Sequence, residues 1–201
     1  MLGASERREE ERARFREQMK QVDAGRLVVV DECGSNIALA PLYALAPKGQ
    51  RAHGSVPRNR GKNTTLLASL SLAGVGACMI IEGAVNAPAF EADVEEILAP
   101  SLSPGQIVLL DNLSVHKGVR VRQLIEARGC ELVFLPASSP DYSPIEETFS
   151  KVKAFLRRVG ARTREALQEA IGQALVTVTA QDALGWFTHC GYQPAQASDL
   201  S

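Results

Sequence analysis

The chain has 201 residues, 45% of them hydrophobic and 22% charged, a balance that excludes disordered and fibrous classes. A domain of this length buries roughly 70% of the surface its unfolded chain exposes. Lys and Arg number 22 against 23 Asp and Glu, so the net charge of −1 argues against a protein that holds nucleic acid by bulk charge alone and says nothing about local patches.

Residues 1–24 read as an N-terminal charged arm or linker, with a short solvated helix over 5–20 in which Glu and Arg alternate. The arm has no apolar core of the kind a signal peptide needs. Residues 25–201 read as one α/β domain with C-terminal helices. Its first strand is the β-branched run 27–30, ending at Asp31. A second extended segment is expected near 38–45. The uncharged stretch 63–81 approaches membrane-spanning length but splits at Gly74 and Gly76 into two β-like runs, so a buried hairpin is predicted and no membrane partner. Pro88 opens a helix with Phe90, Val94, Ile97 and Leu98 on one face. The run 107–110 is a strand ending at Asp111, a helix follows over 118–128, and 131–135 is another strand. Helices are expected over 144–158 and 163–176, with a last short one carrying Trp186 and Phe187; with Tyr192 these two suggest a C-terminal core cluster. Strands with short turns form an antiparallel meander, whereas strands joined through helices run parallel. The result is a mixed sheet with helices on both faces, in which 27–30 and 107–110 lie side by side and deliver Asp31 and Asp111 to one C-terminal edge, where ligands of open α/β sheets collect.

The cysteines Cys33, Cys78, Cys130 and Cys190 form no Cys-x-x-Cys pair, and His189 beside Cys190 lacks the second half of a zinc set. All four are expected to be buried thiols in a reducing, cytoplasmic setting. Glu146 opens the helix after the loop 136–144 and can return to the same sheet edge. Three converging carboxylates repel unless a cation sits among them, and hard oxygen donors select Mg²⁺ or Mn²⁺. Two such ions suit phosphodiester cleavage. Each acid has a plainer reading. An Asp closing a strand is often a turn residue, and Ser143-Pro144-Ile145-Glu146 spells a capping box with Ser143 as the cap. Glu32 and Glu147 are the obvious substitutes for their neighbours. Crowding of the acids also predicts that, without metal, Asp111→Asn stabilises the fold or leaves it unchanged.

The segments Val30-Asp31-Glu32, Ala46-Pro47-Lys48-Gly49-Gln50, Leu110-Asp111-Asn112 through His116-Lys117, and Leu135-Pro136 through Ile145-Glu146 resemble the catalytic domain of a DDE transposase, of the bacterial insertion-sequence branch of the mariner-like superfamily. The resemblance covers about residues 27–195, and the 34 residues between Asp111 and Glu146 match the family's interval. It implies a ribonuclease-H-like fold for the α/β domain. It also implies catalysis and metal binding by Asp31, Asp111 and Glu146, cleavage at transposon ends, 3′-OH strand transfer into TA target sites, and a homodimer on double-stranded DNA. Asn112 and His116 match motif positions near the site, as scaffold hydrogen-bonders or substrate contacts. A tyrosine of the family's loop is missing here, and Tyr142 is its candidate spatial replacement. The family's helix-turn-helix readers have no room in the short front segment, so a separate helix-turn-helix chain is an expected partner.

DNA contact calls for local positive charge. Residues 48–62 carry Lys48, Arg51, Arg58, Arg60 and Lys62 without an acid, and 151–164 carry Lys151, Lys153, Arg157, Arg158, Arg162 and Arg164, again without an acid. The alternatives to a transposase are a ribonuclease-H-like nuclease that never joins strands and a truncated, non-catalytic remnant.

Overall fold

The computed structural model describes residues 8–195. Helix α1 (Glu9–Met19) precedes strand β1 (Leu27–Ser35); a long irregular connection leads to the hairpin β2 (Thr64–Ser71) and β3 (Gly74–Glu82). Helix α2 (Ala87–Asp93) runs through a π-helical turn, Val94–Leu98, into the short α3 (Ala99–Ser101). Then come β4 (Ile107–Leu110), α4 (Val119–Glu126), β5 (Glu131–Phe134), and the helices α5 (Ile145–Val159), α6 (Arg164–Val176) and α7 (Ala180–His189). The sheet order is β3-β2-β1-β4-β5, with β1, β2 and β3 antiparallel and β1, β4 and β5 parallel. This is the mixed, ribonuclease-H-like sheet expected from the order of elements.

The central strands are buried on both sides and alternate between two cores. Leu27, Val29, Cys33, Ile107 and Leu109 face a core shared with α1, α5, α6 and α7. Val28, Val30, Val108 and Leu110 face the opposite core, with Phe90, Val94, Val121 and Ile125 from the helices on that side. Asp31 continues the odd-numbered face of β1, and therefore looks towards α5. The parallel pairing of β1 with β4 ends at Val30 and Leu110, so Asp31 and Asp111 leave it at one level. Strand β1 itself does not end at Asp31 but runs on to Ser35, because β2 continues to pair with it as far as Thr64.

Several elements depart from expectation. No strand forms near 38–45; Pro41 and Pro47 lack backbone donors, β1 is already flanked on both sides, and Leu42, Tyr43 and Leu45 are left exposed. Helix α1 is not solvated all round, since Arg12, Phe15 and Met19 form a buried stripe on the domain; the expected helix start at residues 5–7 lies outside the described residues. The four cysteines are free, but Cys78 is exposed and Cys190 half-buried, leaving only Cys33 and Cys130 as buried thiols. Phe187 and Tyr192 are fully buried with their rings 5.9 Å apart, and Trp186 packs at their margin. Among the described residues no helix is long and apolar enough to cross a membrane.

Candidate active site

At the C-terminal edge of the parallel strands lies a cavity of about 350 Å³ lined by Asp31, Asp111, Asn112, Leu113, the loop 135–140, Ser143 and Glu146. The three acids singled out in the sequence thus share one cavity, with Asn112 beside them. Glu146 reaches it from the first turn of α5. The rival reading of Glu146 as a cap does not hold. Pro144 occupies the cap position, no side chain caps the helix, and the Glu146 N–H bonds the Ser143 carbonyl at 3.1 Å. Capping by Ser143 fails because α5 starts one residue later than the motif suggests; among the described residues a capping box forms at Thr179 with Asp182 on α7. Glu147 does not line the cavity and acts electrostatically on Cys190 instead.

The carboxylates are oriented by identifiable partners. Asp31 Oδ1 accepts the Glu32 N–H at 2.7 Å. Asp111 Oδ1 accepts the Leu113 N–H at 3.0 Å and the Nδ1–H of His116. The other ring nitrogen of His116 donates to Glu32 Oε2 at 3.0 Å. Among the described residues, Oδ2 of each aspartate has no hydrogen bond. Burial pushes the Asp31 carboxyl up to about 7, opposed by the Glu32 N–H and reinforced by the charges of Asp111, Glu32 and Glu146. His116 is fully buried, with its ring 4.3 Å from that of Phe90. Burial disfavours its charge, but hydrogen bonds to Asp111 and Glu32 outweigh burial and lift it to about 9. His116 is therefore a scaffold hydrogen-bonder. Glu32 is not a substitute for Asp31 but the anchor of His116, on the opposite face of β1. Strand alternation carries that signal, since residues 31 and 32 must point to opposite sides.

The donor set is carboxylate oxygen with no cation in the cavity lining. That suits a hard divalent ion. Among the described residues, no group of three or more His, Cys, Asp or Glu side chains is arranged to hold one ion at once. The cavity supplies the donors, and an ion would have to draw them together.

The basic residues separate into two kinds. On α5, Lys153 and Arg157 fall within roughly 20° of the Glu146 direction, while Lys151 and Arg158 lie more than about 100° away. Lys153 reaches Cys33, whose thiol burial pushes up while Lys153 opposes that rise. Lys151 is committed elsewhere: its Nζ donates to the Thr177 carbonyl at 2.8 Å and to Asp182 at 2.7 Å. Arg158 lies over the Phe155 ring in the hollow that Lys151 also lines, away from the acids. Lys48, Arg51, Arg58 and Arg60 are exposed on the connection 36–63. Lys62 and Arg164 pair with Glu82 instead, Lys62 at 3.4 Å. Arg162 donates to the Ile37 and Leu39 carbonyls, both at 2.8 Å, and fastens the base of that connection. Tyr142 does not line the cavity; it is turned towards α1, stacked on Phe15.

Residues 26–168 match the family described as DDE superfamily endonuclease. No curated protein sequence matches the chain. Among solved structures, the Mos1 strand transfer complex superposes with a TM-score of 0.69 at 20% identity, covering 92% of this chain and 56% of the Mos1 chain. The Mos1 transposase paired-end complex with left transposon end gives 0.69 at 19% identity, over 92% and 57% of the two chains. The Mos1 catalytic domain with Raltegravir and Mg gives 0.69 at 17% identity, and there the coverage is 94% and 92%. This chain thus spans little more than half of the longer Mos1 chains and almost all of the isolated catalytic domain. Sheet order, acid placement and matched sequence agree: the chain belongs to the DDE superfamily endonucleases, and its ribonuclease-H-like fold is that of the Mos1 catalytic domain.

Proposed function

We propose that this chain is the catalytic domain of a mariner-like DNA transposase, which cleaves phosphodiester bonds at transposon ends and joins the freed 3′-OH to target DNA at TA sites. The observation that carries the reading is the meeting of Asp31, Asp111 and Glu146 at one cavity, with the Asp31 carboxyl raised by burial and by the neighbouring acids. Mos1 structures with Mg and with Mn support divalent-metal use. In the proposed reaction Asp31, Asp111 and Glu146 would hold two Mg²⁺ or Mn²⁺ ions. Such ions, when bound, activate the attacking oxygen and stabilise the leaving one.

The protein's own groups do the rest. His116, anchored by Glu32, fixes Oδ1 of Asp111 and leaves Oδ2 for the cavity. The Glu32 N–H does the same for Asp31. Asn112 lines the cavity wall, and contact with substrate is its proposed role. Lys153 and Arg157 continue the Glu146 stripe and contact DNA phosphates, with Lys48, Arg51, Arg58 and Arg60 contributing from the connection 36–63; Lys62, Lys151 and Arg158 are better read as structural. The paired-end complexes of Mos1 support DNA as a partner, and double-stranded DNA bound by a homodimer of this chain is the proposed working form. A helix-turn-helix chain remains the proposed end reader, the cytoplasm the proposed location, and residues 1–24 the proposed arm ahead of the catalytic domain at 25–201.

The test is nicking of supercoiled plasmid with Mn²⁺, followed by strand transfer of pre-cut ends into a TA-containing target. Metal-dependent nicking and joining are expected, and Glu146→Gln is expected to abolish both. Nicking without joining would reduce the enzyme to a nuclease. No nicking by the wild-type chain would leave the remnant.

A further inference from the structure

Helix α1 lies ahead of the segment that matches the family, yet it is bound to the loop that delivers Glu146. Arg12 is 2% exposed and 127 to 129 residues distant in sequence from its partners. Its Nη1 donates to the Ser139 hydroxyl at 2.6 Å and to Asp141 Oδ1 at 3.1 Å, and its Nη2 donates to Asp141 Oδ2 at 2.6 Å. Nε lies 3.6 Å from the Glu9 carboxylate, and the guanidinium carbon sits 4.3 Å from the centroid of the Tyr142 ring. Two more residues of α1 complete the contact. Phe15 stacks on Tyr142 with centroids 5.4 Å apart, and the Arg16 Nε–H donates to the Tyr142 hydroxyl at 3.0 Å. From the other side, the Tyr192 hydroxyl donates to the Tyr142 carbonyl at 2.6 Å.

Of the gripped residues Ser139 is part of the cavity wall, while Asp141 and Tyr142 lie in the chain between that wall and Glu146. Ser139 and its neighbours 136–140 line it, and Glu146 follows Tyr142 by four residues. Ser138 has φ of 53°, the one non-glycine residue with positive φ among the described residues. Such a conformation persists only where surrounding contacts impose it. A forked Arg–carboxylate pair fixes angle as well as distance, so the bond network acts on the loop as a two-point clamp.

We infer that α1 is a positioning arm of the active site, with Arg12 and Asp141 as the positioning pair that holds loop 136–143 and thereby the start of α5 and Glu146. The inference rests on the reading of Asp31, Asp111 and Glu146 as the reacting acids. Arg12 touches neither substrate nor metal; it acts through Ser139, Asp141 and Tyr142.

The test compares the wild-type protein with Arg12→Met, Asp141→Asn, Arg12→Lys and the Met/Asn double variant. Asp141 is half-exposed, so Asp141→Asn keeps the fold even if Arg12→Met proves poorly folded. Hydrogen exchange of amides in 136–146 is expected to quicken at least tenfold in the Met and Asn variants, with exchange in β1 and β4 unchanged. Mn²⁺ binding followed by calorimetry, and kcat for plasmid nicking, are expected to fall roughly 10- to 100-fold, while KM for DNA stays within about twofold. The double variant is expected to be no worse than the worse single one, and Arg12→Lys, which keeps charge but loses the fork, to fall between. Unchanged loop exchange would overturn the inference, as would quickened exchange with Mn²⁺ binding and kcat intact. Absence of nicking by the wild-type protein would instead strike the proposed function, leaving exchange and Mn²⁺ binding to decide the role of the arm.

Discussion

Replacing Asp31 by Asn in the metal-free protein should stabilise it above neutral pH. Its carboxyl is carried from 3.8 to about 7 in the fold, by burial first and by the charges of Asp111, Glu32 and Glu146 after that. A displacement of that size is worth about 4 kcal/mol at full weight. The cavity is open to water, and screening there leaves about 2 kcal/mol. The sign follows from linkage: a carboxyl raised in the folded state contributes its stability fully below 3.8 and loses it as pH rises through about 7. Asn imitates the protonated form, and its Oδ1 can still accept the Glu32 N–H. Thermal melts of the metal-free pair should therefore coincide near pH 4. By pH 8 the variant should melt roughly 4–8 °C higher, at about 2–4 °C per kcal/mol for a domain of this length. Saturating Mg²⁺ should raise the wild-type melting temperature and leave the variant unmoved. A variant that melts lower than wild type at pH 8 without metal would show instead that Asp31 is a satisfied structural carboxylate.

Glu146→Gln removes no capping bond, so its melting temperature should stay within about a degree of wild type while nicking is lost; retained nicking would remove Glu146 from the site. Asp111→Asn should destabilise, by about 1–2 kcal/mol in chemical denaturation, because Asp111 is the partner of a charged, fully buried His116. This corrects the expectation from acid crowding, which belongs to Asp31. The stability His116 contributes should be fully present below 6.5 and lost as pH rises through about 9, read as a fall in denaturation midpoint of the wild type that His116→Asn does not share. Asp93, raised to about 6 by burial, should show the carboxylate pattern at a second place: Asp93→Asn gains up to about 3 kcal/mol at pH 8 and nothing near pH 4.

What could be read from the sequence is what strand periodicity and element order determine. The apolar runs ending at Asp31 and Asp111 could only lie parallel once helices separated them, and their shared level in the sheet follows from that. The hairpin 64–82 was legible from its central glycines. Residues 38–45 looked extended because they are apolar, but a strand needs a neighbour, and β1 had already paired on both sides. Ser143 had the chemistry of a cap, whereas the helix start depended on how Pro144 and the strained loop were held. The engagement of Arg12 with Asp141 and of His116 with Glu32 joins residues 129 and 84 positions apart, and no local pattern reports on such pairs. The solvated appearance of α1 had the same origin, because an arginine that is buried reads in sequence as one that is exposed.

Asp31, Asp111 and Glu146 are proposed to bind divalent metal together. Anomalous scattering from a crystal soaked in Mn²⁺ tests it most directly. Manganese peaks are expected in the cavity between β1, β4 and α5, contacted by oxygens of all three side chains and lost in Asp31→Asn. A fully ordered cavity without a peak, or manganese bound only elsewhere on the protein, would contradict it.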